Sequence, residues 1–182
     1  HDLAPANTIS HSGTIATIVR KSLVKQMTAE AVGRFAVLTT FHDIGLTIAN
    51  VHWESGRNGA DKRASMAKVI VDRCKTNSLL IVGDTNTRLV EEDMYRSIGL
   101  VGQRPPKPTW DSRKNGFRKS QRKTQRSFTA YFTRYFHNSN CQVSEVRVFD
   151  TPIQVEPNRF FLSDHFALSG VVECSAPAVE CE

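Results

Sequence analysis

Apolar and β-branched residues gather in seven short runs, at 14–19, 34–41, 45–51, 78–84, 129–136, 141–149 and 165–173, mostly bounded by Gly, Asn, Asp or Pro. Runs of this length with such boundaries predict strands. Met66, Ile70 and Cys74 recur at fourfold spacing with Lys and Arg between them, which predicts a helix over about Asn58 to Lys75; a shorter helical pattern over 90–98 stops at Gly99. The pattern as a whole predicts an α+β fold. The segment FAVLTTFHDIGLTIANV reads as two strands joined by the tight turn His42-Asp43-Ile44-Gly45, hence an antiparallel hairpin. From Gly102 to Ser127 the chain has three prolines and little apolar content, so it reads as a long excursion between strands. Loops at strand ends are where sites sit.

The chain has 182 residues, 40% of them hydrophobic, which suits one core and predicts a single domain over 1–182. It opens on His1 and is expected to be amino-terminally incomplete. No run approaches the roughly 20 apolar residues of a membrane-spanning helix, and the first residues lack the charged head and apolar middle of a signal peptide. The net charge of +6 is unevenly placed: residues 104–126 hold nine Lys or Arg against Asp111 alone, so this loop carries +8 and the remainder −2. A basic run on a near-neutral domain is the footprint of a polyanion partner, and it points to a nucleic acid backbone. The four cysteines, Cys74, Cys141, Cys174 and Cys181, show neither CxxC nor zinc-finger spacing. They are expected to be thiols in a reducing, intracellular compartment.

Three predicted strand ends concentrate polar groups. The first is Asn50-Val51-His52-Trp53-Glu54-Ser55, the second Gly83-Asp84-Thr85-Asn86 after the apolar LLIV, and the third Ser163-Asp164-His165 before FALSG. Carboxylates and a His at the ends of buried strands, with a basic loop in the same chain, are what metal-assisted phosphodiester cleavage needs. Taken one at a time they have plainer readings: Asp84 as a turn cap, Asn86 as a left-handed turn residue, His165 as a core histidine.

In order and spacing these strings resemble the endonuclease/exonuclease/phosphatase superfamily, marked by a GD-x-N strand end and a late SDH. Within it the chain is similar to the tyrosyl-DNA phosphodiesterase family, through SGTIATIVRKS (12–22), HWESGR (52–57) followed by a basic helix, IVGDTNTR (81–88), PTWD (108–111) and LSDHFAL (162–168). The resemblance implies a two-sheet αββα sandwich, dependence on Mg²⁺ or Mn²⁺, and hydrolysis of a phosphodiester, in that family a tyrosine joined to a 5′ DNA or RNA end. It makes Asp84 the group that orients and deprotonates water, Asn86 its phosphate-binding neighbour, and His165 the donor to the transition-state oxygen. Asp164 falls beside the metal. Asn50 and His52 then face the cleft, and Trp110 makes an apolar wall for a base or a tyrosine ring. Arg34, Arg57 and Arg88 become phosphate contacts, and Arg113, Lys114, Arg118, Lys119, Arg122 and Lys123 track the backbone.

Two departures bear on activity. The family's early Asn and its principal Mg²⁺ ligand, a Glu, both precede the SGTIATIV-like strand, and neither His1-Asp2 nor Glu30 stands in the required context; the sandwich is expected to lack its opening strands. Thr133 stands where the family has the Asp that orients the catalytic imidazole, and it brings no charge. The sequence therefore supports two readings, a phosphodiesterase acting on nucleic acid ends, or a catalytically degenerate member of the same fold that serves as a structural or RNA-binding component of a larger complex. Because a sandwich without its opening strands bares sheet edges, residues 1–30 or the exposed edge are expected to contact missing polypeptide or a partner chain.

Overall fold

In a computed structural model, the structure describes residues 3–5, 15, 17–20, 27–74, 77–111, 130–131, 134–155, 158–160, 163 and 165–175. In chain order the elements are β1 (Leu3–Pro5), β2 (Ile18–Arg20), β3 (Met27–Val32), β4 (Ala36–Phe41), β5 (Leu46–His52), α1 (Ala60–Arg73), β6 (Ser78–Asp84), α2 (Glu92–Arg96), β7 (Val101–Gln103), β8 (Trp110–Asp111), β9 (Ala130–Tyr131), β10 (Tyr135–His137), β11 (Cys141–Phe149), β12 (Ile153–Val155), β13 (Asn158–Phe160) and β14 (Ala167–Cys174). This is the expected α+β class. The chain divides into two compact units, one of residues 1–103, 134–142 and 173–182, the other of 104–133 and 143–172.

The first unit is built on a six-stranded sheet in the order β3-β4-β5-β6-β10-β7. The predicted hairpin is there: β4 and β5 pair antiparallel from Ala36↔Val51 to Phe41↔Leu46. The His42–Ile44 turn closes on Gly45 at φ 59°, a left-handed position that glycine takes without steric cost. β5 and β6 form the parallel pair of the sheet, in register from Leu46↔Ser78 to His52↔Asp84, and α1 makes the crossover between them.

Period-two alternation then sorts the strand residues. Leu38, Ala49, Val51, Leu79, Ile81 and Phe136 face one way and join Ala67 and Ile70 of α1, Cys74 just past its end and Tyr95 of α2 in the main core. Trp53 stacks on Tyr95 at 5.9 Å, and Tyr95 meets Phe136 at 4.6 Å. Asn50, His52 and Asp84 fall on the other face. There Val19 of β2 packs on Phe41, with Met27 and Ile48 beside them.

α1 is shorter at each end than the helix predicted, because Arg57–Gly59 forms a separate 3-10 turn and Cys74 leaves helical geometry. The edge strand β3 was not predicted. Its sequence MTAEAV shows no alternation, and three consecutive residues are exposed.

The cysteine expectation holds for Cys74 and is corrected for Cys141 and Cys174, while Cys181 lies outside the described residues. Cys141 and Cys174 form a disulfide, while Cys74 is a buried free thiol. Paired strands β11 and β14 bring the two together across 33 residues of sequence, a separation that local spacing motifs do not register.

The second unit contains the strand pairs β8–β9 and β12–β13, both antiparallel. Most of β11 and β14 also lies in it. Lys107 Nζ stands 3.9 Å from Asp150 Oδ1 in this unit. No described helix is long and apolar enough to cross a membrane.

Candidate active site

The parallel pair β5–β6 ends with its carboxyl termini side by side, the position at which α/β sheets present ligand sites. His52 and Asp84 are register partners there, and His52 Nε2 lies 3.8 Å from Asp84 Oδ2. Half of the His52 side chain is exposed, and about a quarter of Asp84. Asn50, two residues earlier on β5, shares their face.

Gly83 is what allows this closeness. Its φ is +110°, and a Cβ there would sit 2.3 Å from Val51 O and 2.8 Å from Asn50 Oδ1. Only a residue without a side chain lets the end of β6 pass so near β5.

Beyond the sheet the two chains are tied by polar contacts. Trp53 N–H donates to Asp84 O at 2.9 Å. Asp84 Oδ1 accepts from Asn86 N–H at 3.2 Å, which turns the backbone into a left-handed Asn86 at φ 50°. The Asn86 Nδ2 amide donates to Trp53 O at 3.0 Å. One amide proton of Asn86 is thus committed to the loop after β5. Thr85 Oγ1 donates to Arg134 O at 2.9 Å, fastening the same turn to the start of β10.

The predicted arginines sort by position. Arg34 is exposed on the β3–β4 turn, at the same sheet end as His52, whose N–H bonds Phe35 O. Arg57 is exposed on the turn after β5. Arg88 is half-buried, and its Nε has no partner among the described residues. Glu54 is held below the usual carboxylate range, first by its hydrogen bond from Lys62 and then by that ammonium's charge.

Trp110 and His165 both lie in the second unit. Phe166 N–H donates to Thr109 O at 2.6 Å, so the residues flanking each are directly joined, and His165 N–H donates to Ser163 Oγ at 3.2 Å. Asp164, Thr133 and the basic residues Arg113, Lys114, Arg118, Lys119, Arg122 and Lys123 lie outside the described residues.

Sequence reasoning passed over Arg63, Glu91 and Trp53. Arg63 reads as one of the solvent-facing cations of α1, yet it is fully buried. The signal was the 63, 67, 70, 74 spacing, which places it on the same stripe as Ala67, Ile70 and Cys74.

Mg²⁺ takes oxygen ligands in octahedral geometry, chiefly carboxylates, water and substrate phosphate. Among the described residues no group of three or more His, Cys, Asp or Glu gathers. Both Asp84 oxygens already face protein groups, Asn86 N–H and His52 Nε2. The described residues do not by themselves fit a divalent cation.

No protein-family model matches the chain, and no curated protein matches it. Solved structures do. TDP2 from D. rerio, complexed with a single-strand DNA product, superposes with a TM-score of 0.61 at 19% identity, over 86% of this chain and 71% of that one. TDP2 from C. elegans gives 0.55 at 18%, over 83% of this chain and 52% of the other, so the chain spans about half the length of that structure. An endonuclease/exonuclease/phosphatase family protein from Bacteroides thetaiotaomicron gives 0.51 at 18%, over 75% and 53%. The motif resemblance and these superpositions agree, and at such identities what they establish is architecture: the chain has the endonuclease/exonuclease/phosphatase fold.

Proposed function

We propose that the chain hydrolyses phosphodiesters at nucleic acid ends, as a phosphodiesterase of the tyrosyl-DNA type. The observation that carries this is the register-locked trio Asn50, His52 and Asp84 on one face at the carboxyl ends of β5 and β6. Asp84 is the base: a partly exposed carboxylate, anchored through Oδ1 by Asn86 N–H, with Oδ2 3.8 Å from His52 Nε2. His52 faces that oxygen and meets the incoming phosphate. The second amide N–H of Asn86 and the guanidiniums of Arg57 and Arg88 supply donors to phosphate oxygens. His165 takes the role of donor to the developing charge, and Trp110 that of a stacking wall, on the strength of the motif resemblance. The D. rerio relative's DNA product and the +8 segment 104–126 support a nucleic acid substrate. The resemblance also implies Mg²⁺.

The test is incubation with a 5′-tyrosyl oligonucleotide and Mg²⁺, with Asp84→Asn and His165→Ala as controls. Release of tyrosine that either control abolishes supports the reading. Absence of turnover, with RNA binding that weakens steeply with salt, would instead establish the degenerate, RNA-binding alternative. Charge reversal within 113–126 is expected to weaken binding to all sequences alike, since a Lys/Arg segment meets phosphates rather than bases.

A further inference from the structure

The candidate site is carried by two loops, Trp53–Gly59 after β5 and Thr85–Glu91 after β6. The sheet holds them only as far as His52↔Asp84. Beyond that register they are joined by the Asn86–Trp53 hydrogen bond. On the core side they are joined through one residue of α1.

Arg63 is 0% exposed. Its Nη1 donates to Glu54 O at 2.8 Å and Gly56 O at 3.0 Å, both in the first loop. Its Nε donates to Glu91 Oε2 at 3.0 Å and its Nη2 to Glu91 Oε1, both at the end of the second. Tyr95 hydroxyl adds a bond to Glu91 Oε2 at 3.3 Å. Burial works against the Arg63 charge, but the Glu91 carboxylate outweighs it and the guanidinium's proton affinity is raised. The space is shaped to the group as well: a Cβ on Gly59 would come within 2.7 Å of Arg63 Nη1.

Stability alone does not explain such a pair. A buried ion pair is commonly no more stabilising than well-packed apolar residues of the same volume, because desolvation offsets the attraction. What an apolar pair cannot do is hold two carbonyls and a carboxylate at hydrogen-bond distance, which the guanidinium fork does. We propose that Arg63 is a positioning residue: with Glu91 it sets the spacing of the two loops, and so the placement of Asp84 and Asn86 against His52 and Arg57. Its activity arm rests on the function proposed above; its structural arm does not.

The experiment compares the wild-type chain with Arg63→Met/Glu91→Leu, which replaces the pair by apolar groups, and with Arg63→Lys, which keeps a charge but not the fork. Thermal unfolding, kcat and KM on the 5′-tyrosyl oligonucleotide, and amide hydrogen exchange of residues 53–59 and 84–91 are measured. The double variant is expected to stay folded, with kcat down about tenfold or more and KM nearly unchanged, as misplacement of reacting groups predicts. Exchange is expected to quicken in both loops together while β4–β6 keeps its protection, and Arg63→Lys is expected not to restore kcat. Unchanged exchange, or a change confined to one loop, overturns the proposal. So does loss of the native fold in the double variant, which would make the pair a folding determinant. If the wild-type chain shows no turnover, the functional reading fails, and the exchange of the two loops decides this inference alone.

Discussion

His52 and Asp84 are the last register partners of the parallel β5–β6 pair, with His52 Nε2 3.8 Å from Asp84 Oδ2. Asp84→Asn keeps the size of the side chain and the acceptor for Asn86 N–H but cannot take a proton. Turnover is expected to fall about 10²–10⁴-fold with the unfolding temperature little changed. Steady-state rates and a thermal melt of the same preparation check this.

Gly83→Ala is expected to be among the most damaging small substitutions in the chain. The added Cβ would meet backbone, Val51 O at 2.3 Å, at a φ of +110°, and backbone cannot swing aside as a flexible side chain can. A loss of about 3 kcal/mol or more is expected from urea denaturation, with the mechanism being strain at a special backbone conformation.

At Asn86 two costs separate. Asn86→Ala loses the bond to Trp53 O and puts a Cβ-bearing residue without side-chain compensation at φ 50°, for about 2–3 kcal/mol in all. Asn86→Gly loses the bond but relieves the backbone, so its denaturation midpoint is expected to fall between those of the alanine variant and the wild type.

The Cys141–Cys174 bond closes a loop across 33 residues. The chain-entropy model puts its contribution at about 3–4 kcal/mol. Reduction with dithiothreitol is expected to lower the unfolding temperature of the wild type and leave Cys141→Ser/Cys174→Ser unmoved. A reducing interior would open it, so the expected intracellular location becomes a question that intact mass of the protein from its source answers.

Burial pushes the Cys74 thiol up. A group whose folded value is raised contributes stability below its ordinary value, and that stability is lost as pH climbs from the ordinary thiol value through the folded one. Urea midpoints measured across the alkaline range should therefore fall more steeply for the wild type than for Cys74→Ala.

The parts legible in the sequence were those written in one run. The β4–β5 hairpin shows itself through the His42–Gly45 turn, and β6 through SLLIVGD with its glycine and carboxylate at the end. Asn50, His52, Asp84 and Asn86 were found because they interrupt apolar alternation at strand ends. The Cys141–Cys174 bond and the Arg63–Glu91 pair were not legible. Each is made by residues 28 or more positions apart whose meeting depends on strand pairing or on the α1 crossover. Arg63 misleads for a further reason: a cation on an amphipathic helix ordinarily faces water, and what reverses this is the Glu91 carboxylate with the carbonyls of Glu54 and Gly56.

Whether Asp84 is the base in phosphodiester hydrolysis is decided by single-turnover cleavage of a 5′-tyrosyl oligonucleotide as a function of pH, with saturating protein. The wild type is expected to cleave across the pH range, and Asp84→Asn at a rate at least about 10²-fold lower throughout. Equal rates for the two proteins, or a wild-type rate indistinguishable from buffer, would contradict that role for Asp84.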